Sequence, residues 1–429
     1  MVLSESRRLR LAVFTSFYVA QGIPIGLLTI AIPAWLATEG MSIGEIAGYQ
    51  AIVSIPWALK LVTGPFMDRF TFLPMGFRRP WVIGAQGGLT LAMLSLTVID
   101  DPMQSLTLLM TLGFIVNAFA ATQDVAVDGM AIDILPADER GRANALMGFG
   151  QVAGFSAYGA LSGTLLQFAG MPITALVCSL SVGLIFVLAT VIRERPGERL
   201  VPWRAGEAAP RDTTPEPSFR VIFKDLFRVL FLPMSLILTL VELANRIHDG
   251  IAVAVVPTFA IQELGFTTAQ YTQFSGAIGF VAAFIGALAG PYIDRFGARR
   301  FLMFGLIGSA AAHFLVAFTP SLWPNVYYIV SVAFVDRVLS QFIFVAIIAM
   351  YMNLCWAKVA ATQFAIYMSL ANLSRSIGSA LFALVANRMT FQSDFVLMGA
   401  CLILAAAALV MFKQQPHDER LAKIQAAAA

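Results

Sequence analysis

Apolar runs of about 20 residues, long enough to cross a bilayer as helices, recur from Leu11 to Phe412 with only short polar stretches between them. Inside hydrocarbon every backbone N–H and C=O must find a partner, which leaves helices and closed barrels as the only spanning forms. Barrel strands would read as short alternating segments, and these runs do not alternate. Composition agrees: 12% of residues are charged, about half the usual share of a soluble domain. The first run follows Arg7, Arg8 and Arg10 and exceeds the roughly 7–15 residues of a signal-peptide core, so it reads as a retained helix. The fold class expected is an all-α membrane protein.

Twelve spans are expected, at about 11–36, 43–67, 81–99, 104–132, 143–168, 172–192, 229–261, 268–293, 301–318, 324–356, 361–387 and 395–412. The stretch 193–228, with Pro196, Pro202, Pro210, Pro215 and Pro217, reads as an exposed linker. It divides the chain into a six-helix half at 1–192 and a second at 229–429. Of the 28 Lys and Arg, all but Lys60, Arg246, Arg337, Arg375 and Arg388 fall in segments on one side. The positive-inside rule makes that side, with both termini, cytoplasmic. Cys178, Cys355 and Cys401 lie within apolar runs without metal-type spacing, as small buried side chains do.

The halves repeat. Gly64-Pro65-Phe66-Met67-Asp68-Arg69-Phe70 closes the second span, and Gly290-Pro291-Tyr292-Ile293-Asp294-Arg295-Phe296 closes the eighth. Two tandem halves with substrate between them is a transporter layout. In these loops Gly64 and Gly290 permit close helix approach, while Asp68, Arg69, Asp294 and Arg295 suit helix ends and one another. They are candidate conformational-switch residues.

Charges at membrane depth mark the candidate site. Lys60, Asp124, Glu242, Arg246, Asp249, Asp336, Arg337 and Arg375 all fall inside spans. Each costs about 2.5–3.5 kcal/mol at the bilayer centre, so eight facing lipid would exceed a typical stability of about 5–15 kcal/mol. They must pair or face water. Asp124 and Asp128 share a face of the fourth span with Asn117 a further seven residues back, and Gln123 adjoins them. Lys60 and Asp124 lie about 12 and 14 Å from the ends of their helices at 1.5 Å per residue, so a pair between spans two and four is expected. Glu242, Arg246 and Asp249 form one stripe on the seventh span, open to an intrahelical ladder or a cavity wall. Arg337, one turn from Gln341, and Arg375 suit a carboxylate or phosphate, which guanidinium grips as a fork. Asn144, Gln151 and Tyr158 form a polar stripe on the fifth span. His313 stands alone in its span and reads as a packing histidine. Gly22, Pro24, Gly250 and Pro257 are open to a hinge or a packing role.

The two repeat loops resemble the signature G-x-x-x-D-R-x-G-R-R of the major facilitator superfamily, completed in the second copy by Gly297, Arg299 and Arg300. Ala121–Gly129 with Leu135-Pro136-Ala137-Asp138-Glu139-Arg140-Gly141 is similar to the fourth-helix signature of AmpG-type muropeptide permeases, and equally to that of acetyl-CoA transporters. Gln21-Gly22-Ile23-Pro24 leans to the latter, and Ala361-Thr362-Gln363-Phe364-Ala365 to the former. The resemblance implies twelve helices in two pseudo-symmetric bundles, with a central cavity lined by helices one, four, seven and ten. It implies secondary transport, commonly proton-driven. The candidate substrate residues are Gln21, Asn117, Gln123, Gln151, Arg246, Asp249, Arg337, Gln341 and Arg375. The candidate proton-coupling residues are Lys60, Asp124, Asp128 and Glu242. A monomer in the inner membrane is expected, taking an amphiphilic anion (anhydro-muropeptide, acyl-CoA-like nucleotide or siderophore) and protons. No metal, cofactor or nucleic acid is expected. No G-x-S-x-G and no two-histidine metal motif supports an enzyme, and a scaffold without flux would leave the buried charges unexplained.

Overall fold

The computed structural model describes residues 1–136, 138–207, 226–356 and 359–426, and 85% of these residues are helical. The twelve expected spans are helices. α1 runs Arg7–Thr38. α2 comprises Ile43–Ser54, a 3-10 turn Ile55–Leu59, and Lys60–Arg69. α3 is Arg79–Val98 and α4 is Pro102–Ile134. α5 and α6 together fill Arg140–Val191, broken at Gly170, where φ is 76°. That backbone region is open to glycine and strained for other residues, so one glycine ends α5 without a polar loop. α7 is Pro233–Thr258, α8 Thr268–Leu288, α9 Ala298–Phe318, α10 Val326–Leu354, α11 Ala360–Val385 and α12 Phe391–Val410. A terminal helix, α13, is Gln414–Ala426.

Among the described residues, eight stretches are long and apolar enough to cross a membrane on hydropathy alone, and α7 is not among them. Three charges in its middle, Glu242, Arg246 and Asp249, account for that. Both α1 and α7 carry a proline followed by a π-helical turn: Pro24 before Leu27–Ala31, and Pro257 before Phe259–Glu263. Proline cannot donate to the ladder, and a π turn absorbs the local mismatch.

Two compact units emerge from the packing. The first gathers Met1–Ser42, Ile52–Asp212 and Ala260–Phe280; the second gathers Ile43–Ala51, Thr213–Phe259 and Val281–Ala429. Phe14, Phe17, Val82, Val127 and Met130 sit at the first unit's core, and Leu238, Leu306, Ile347, Tyr351 and Leu402 at the second's. Leu91, Leu184, Leu384 and Leu404 are exposed, as a lipid-facing surface requires.

Glycines set the closest helix contacts in both units. A Cβ on Gly22 of α1 would lie 2.6 Å from the Gln151 carbonyl of α5, and one on Gly250 of α7 would lie 2.4 Å from the Arg375 carbonyl of α11. The packing role is therefore the one observed for these two residues. Small residues let membrane helices approach to backbone contact.

Where α3 begins, the first unit is closed by a polar clasp. Arg79 is fully buried and donates to the carbonyls of Ala189, Thr190, Arg199 and Leu200. Glu194 accepts from the backbone N–H groups of Phe77, Arg78 and Arg79. Leu3 and Ser4 donate backbone N–H bonds to Arg193 and Glu194, and Arg10 grips Glu139 with two nitrogens, the closer at 2.6 Å. Of the switch-loop residues, Gly64 faces the Val125 side chain, while Arg69 and Arg295 sit in the last turns of their helices, where cations favour the dipole. The side chains of Asp68 and Asp294, and Gly290 beyond its backbone, lie outside the described residues.

Candidate functional site

The first unit holds a network centred on Asp124. Lys60 of α2 donates to one carboxylate oxygen of Asp124 on α4, and the Gln21 amide of α1 donates to the other. The Gln151 amide of α5 in turn donates to the Gln21 carbonyl oxygen. The Lys60 ammonium also lies 4.4 Å from the centroid of the Trp57 ring, a cation–π contact. One turn along α4, Asp128 accepts from the Tyr18 hydroxyl of α1. Four helices thus meet at one buried carboxylate, including the Lys60–Asp124 pair expected from depth.

Gln123 and Asn117 are placed differently. The Gln123 amide donates to the Phe17 carbonyl at 3.1 Å, and the Asn117 amide donates to the Val53 carbonyl at 2.7 Å. Both nitrogens are taken up by backbone of neighbouring helices. Val53 precedes the 3-10 turn of α2, where the regular ladder is interrupted and a carbonyl is left open.

The second unit holds a denser cluster. On α7, Arg246 bonds Glu242 at 2.6 Å and Asp249 at 3.0 Å, and Asn245 donates to the other Glu242 oxygen at 3.2 Å. This is the intrahelical ladder that the spacing of four and three permits. His248 reaches Asp249 through Nδ1 at 3.3 Å and His313 of α9 through Nε2 at 3.2 Å. His313, isolated in sequence, is therefore one of a pair. Its Nδ1 donates to the Ser309 carbonyl at 2.7 Å and lies 3.6 Å from Asp336 of α10, which accepts from the Ser309 hydroxyl. Sequence periodicity could not find this pair, because its members sit on different helices.

Arg337 of α10 and Arg375 of α11 differ from Arg246. Among the described residues neither makes a hydrogen bond or an ion pair, and the Arg375 Nε is buried without a partner. Arg375 is close enough to feel the charges of Asp249 and of Arg337. Gln341, one turn beyond Arg337, packs against Gly286 of α8. Two guanidiniums thus stand near each other with no carboxylate bonded to either.

Residues 14–287 and 238–428 match the model of the Major Facilitator Superfamily. The anhydromuropeptide permease of Escherichia coli K12 is 27% identical over 383 residues, covering 85% of this chain and 72% of that protein. A Rickettsia conorii protein described as transporter AmpG 4 is 23% identical over 409 residues, covering 92% and 94%. Among solved structures, a variant of the nucleoside transporter NupG superposes with a TM-score of 0.73 at 11% identity, covering 94% of this chain and all of that one. The D-xylose-proton symporter superposes at 0.71 and 14% identity, covering 94% and 97%. At such identities the superpositions establish the fold, and the sequence match supplies the family. The chain, a membrane transporter with AmpG-type permeases among its relatives, belongs to the Major Facilitator Superfamily.

Proposed function

We propose that this transporter carries an amphiphilic anion of the anhydro-muropeptide class into the cell across the inner membrane, driven by protons. Arg337 and Arg375 carry the reading. Unpaired charge at membrane depth is expensive, and two adjacent guanidiniums without a bonded acid repel until an anion joins them. A peptide carboxylate satisfies that need, and a relative named anhydromuropeptide permease is consistent with it. Asp249 and Arg246 flank the anion site, and Gln341 lies a turn away. In this reading the halves 1–192 and 229–429 are the moving bodies, the linker 193–228 and both termini are cytoplasmic, and a monomer is the working unit. The residues of the two repeat loops act as switches between states.

Asp124 is the proposed coupling group. While Lys60 holds it, Asp124 stays ionised. When the lysine is drawn away by solute or by closure of the cavity, the buried carboxylate takes a proton instead. Asp128, one turn along α4, is the neighbouring carboxylate that can relay it, and Glu242 of α7 is the candidate relay group of the second unit.

Counterflow of radiolabelled anhydromuropeptide in proteoliposomes tests the solute. A hydrogen bond to a charged group contributes about 1.5–3 kcal/mol, so Arg375→Ala should weaken half-saturation about 10–100-fold. Arg375→Lys should lose less. Equal, unchanged affinity in both variants would assign the arginines to structure alone. Asp124→Asn should retain counterflow and lose accumulation driven by a proton gradient; full accumulation would remove Asp124 from the coupling step.

A further inference from the structure

We propose that His248 and Asp249 hold one exchangeable proton, that His313 dictates its position, and that this proton and the solute anion favour each other's binding through Arg375. The inference rests on the proposed function for its use in transport, and on hydrogen-bond logic for its existence.

A carbonyl oxygen only accepts, so the His313 nitrogen 2.7 Å from the Ser309 carbonyl must carry hydrogen. A neutral His313 then has a bare Nε2. The bond to His248 at 3.2 Å therefore requires the N–H on the Nε2 of His248. The remaining nitrogen of His248 faces a carboxylate oxygen of Asp249 at 3.3 Å. Two lone pairs cannot bond, so a further proton belongs between them. With it, His248 donates in both directions. Without it, the contact to Asp249 is repulsive. A second extra proton, on the Nε2 of His313, would set two N–H groups against each other, so the histidines together carry a single extra proton.

Every element packed around the pair agrees with one positive charge. On α7, Arg246 already holds the other oxygen of Asp249 as well as Glu242, and Asn245 caps Glu242. On α9, the Ser309 hydroxyl turns to Asp336 of α10, which stands 3.6 Å from the donating nitrogen of His313. α12 presents the Phe395 ring, 6.2 Å from that of His313, and the buried Asp394 beside it, whose oxygens make no hydrogen bond. α11 contributes Arg375, which feels Asp249. Both histidines are 5% exposed, so the proton is shielded from bulk water.

Consequences for binding follow from charge. When the proton is bound, His248 answers Asp249, and Arg375 loses part of the field that stabilised it. An anion at Arg337 and Arg375 restores that balance. Proton and anion therefore bind more tightly together than apart, and linkage makes the effect reciprocal. Such cooperativity is what moving the two together requires.

The chain has three histidines, so 15N-histidine NMR of the protein in nanodiscs gives three resolvable rings. His417, on α13, reports on the integrity of the fold. His313 should appear as the Nδ1–H tautomer and His248 with both nitrogens protonated. Asp249→Asn should lower the titration midpoint of His248 by at least one pH unit, with the His417 signals unchanged. An Nε2–H tautomer at His313, or an unmoved His248 in Asp249→Asn, overturns the site. Saturating anhydromuropeptide should raise the His248 midpoint in the wild type and leave it unmoved in Arg375→Ala. No shift in a wild type that binds the compound overturns the cooperativity while sparing the proposed function. A wild type that neither binds nor accumulates it overturns the proposed function and the cooperativity together, and the tautomers then judge the site by themselves.

Discussion

The two units neutralise their buried charges in opposite ways. In the first, Lys60 and Asp124 pair across α2 and α4, the Gln21 amide of α1 completes the carboxylate, and Gln151 of α5 holds Gln21. In the second, Glu242, Arg246 and Asp249 satisfy one another along α7 alone, while Arg337 and Arg375 stay unpaired. A pair between helices ties them together, and breaking it is felt by the whole bundle. A pair within one helix cancels charge without constraining neighbours. The first unit's cluster is thus built to hold helices, and the second's leaves positive charge open for something to arrive.

Breaking the cross-helix pair should give the largest effect. Lys60→Ala or Asp124→Ala strands a buried charge, at about 3–5 kcal/mol. Thermal unfolding in detergent should show a large drop for each, and the exchange Lys60→Asp with Asp124→Lys should recover most of it. Glu242→Gln, by contrast, leaves Arg246 bonded to Asp249 and should destabilise far less. Equal losses in the two units would erase the contrast.

A smaller, matched effect is expected where the units are alike. Gly22→Ala and Gly250→Ala both push a Cβ into the backbone of the facing helix, and overpacking of this kind costs about 1–3 kcal/mol. Similar drops in melting temperature would show that α1–α5 and α7–α11 are equivalent seams. A loss confined to one seam would show that the units differ in packing as well as in charge.

Outside the spans a pH effect should be smallest, and it separates surface titration from protonation inside the bilayer. His417 of α13 is buried against the Leu354 carbonyl, to which its Nε2 donates, and burial pulls its pKa below the ordinary value. The folded state therefore holds it neutral. Docking of α13 should be complete above about pH 6.5 and weaken as pH falls below that ordinary value. Hydrogen exchange of α13 between pH 7.5 and pH 5.5, on the order of two pH units spanning that value, reads it directly. Once the intrinsic pH dependence of amide exchange is divided out, His417→Gln should show protection that does not change with pH; a wild type with the same protection at both pH values would remove His417 as the cause.

Much of this was legible in the sequence, for reasons that also mark its limit. Hydropathy finds most of the helices because each must span alone; it passes over α7, whose charges are reconciled with a span only by the spacing that closes them into a ladder. Lys60 and Asp124 are recoverable as a pair since each depth counts from its own helix end. Asn117 and Gln123 share the carboxylate's stretch of α4, yet their amides are captured by Val53 and Phe17. That capture depends on which carbonyls of other helices face them, at Val53 one beside the 3-10 turn of α2. The His248–His313 contact fails the same way: no periodicity within α9 points to α7. Intrahelical order is written locally, whereas contacts between helices depend on rotations that the chain reveals only when packed.

The clasp at Arg79 has a consequence for the order of assembly. Its carbonyl partners include Arg199 and Leu200, and the N-terminal strand-like contact waits for Arg193. During synthesis α3 leaves the ribosome more than a hundred residues before these partners exist. Until then the guanidinium has to remain in water, and the start of α3 has no anchor. The first half therefore locks only once the chain has passed its sixth helix, which makes residues 193–200 the last piece of that half in time as well as in sequence.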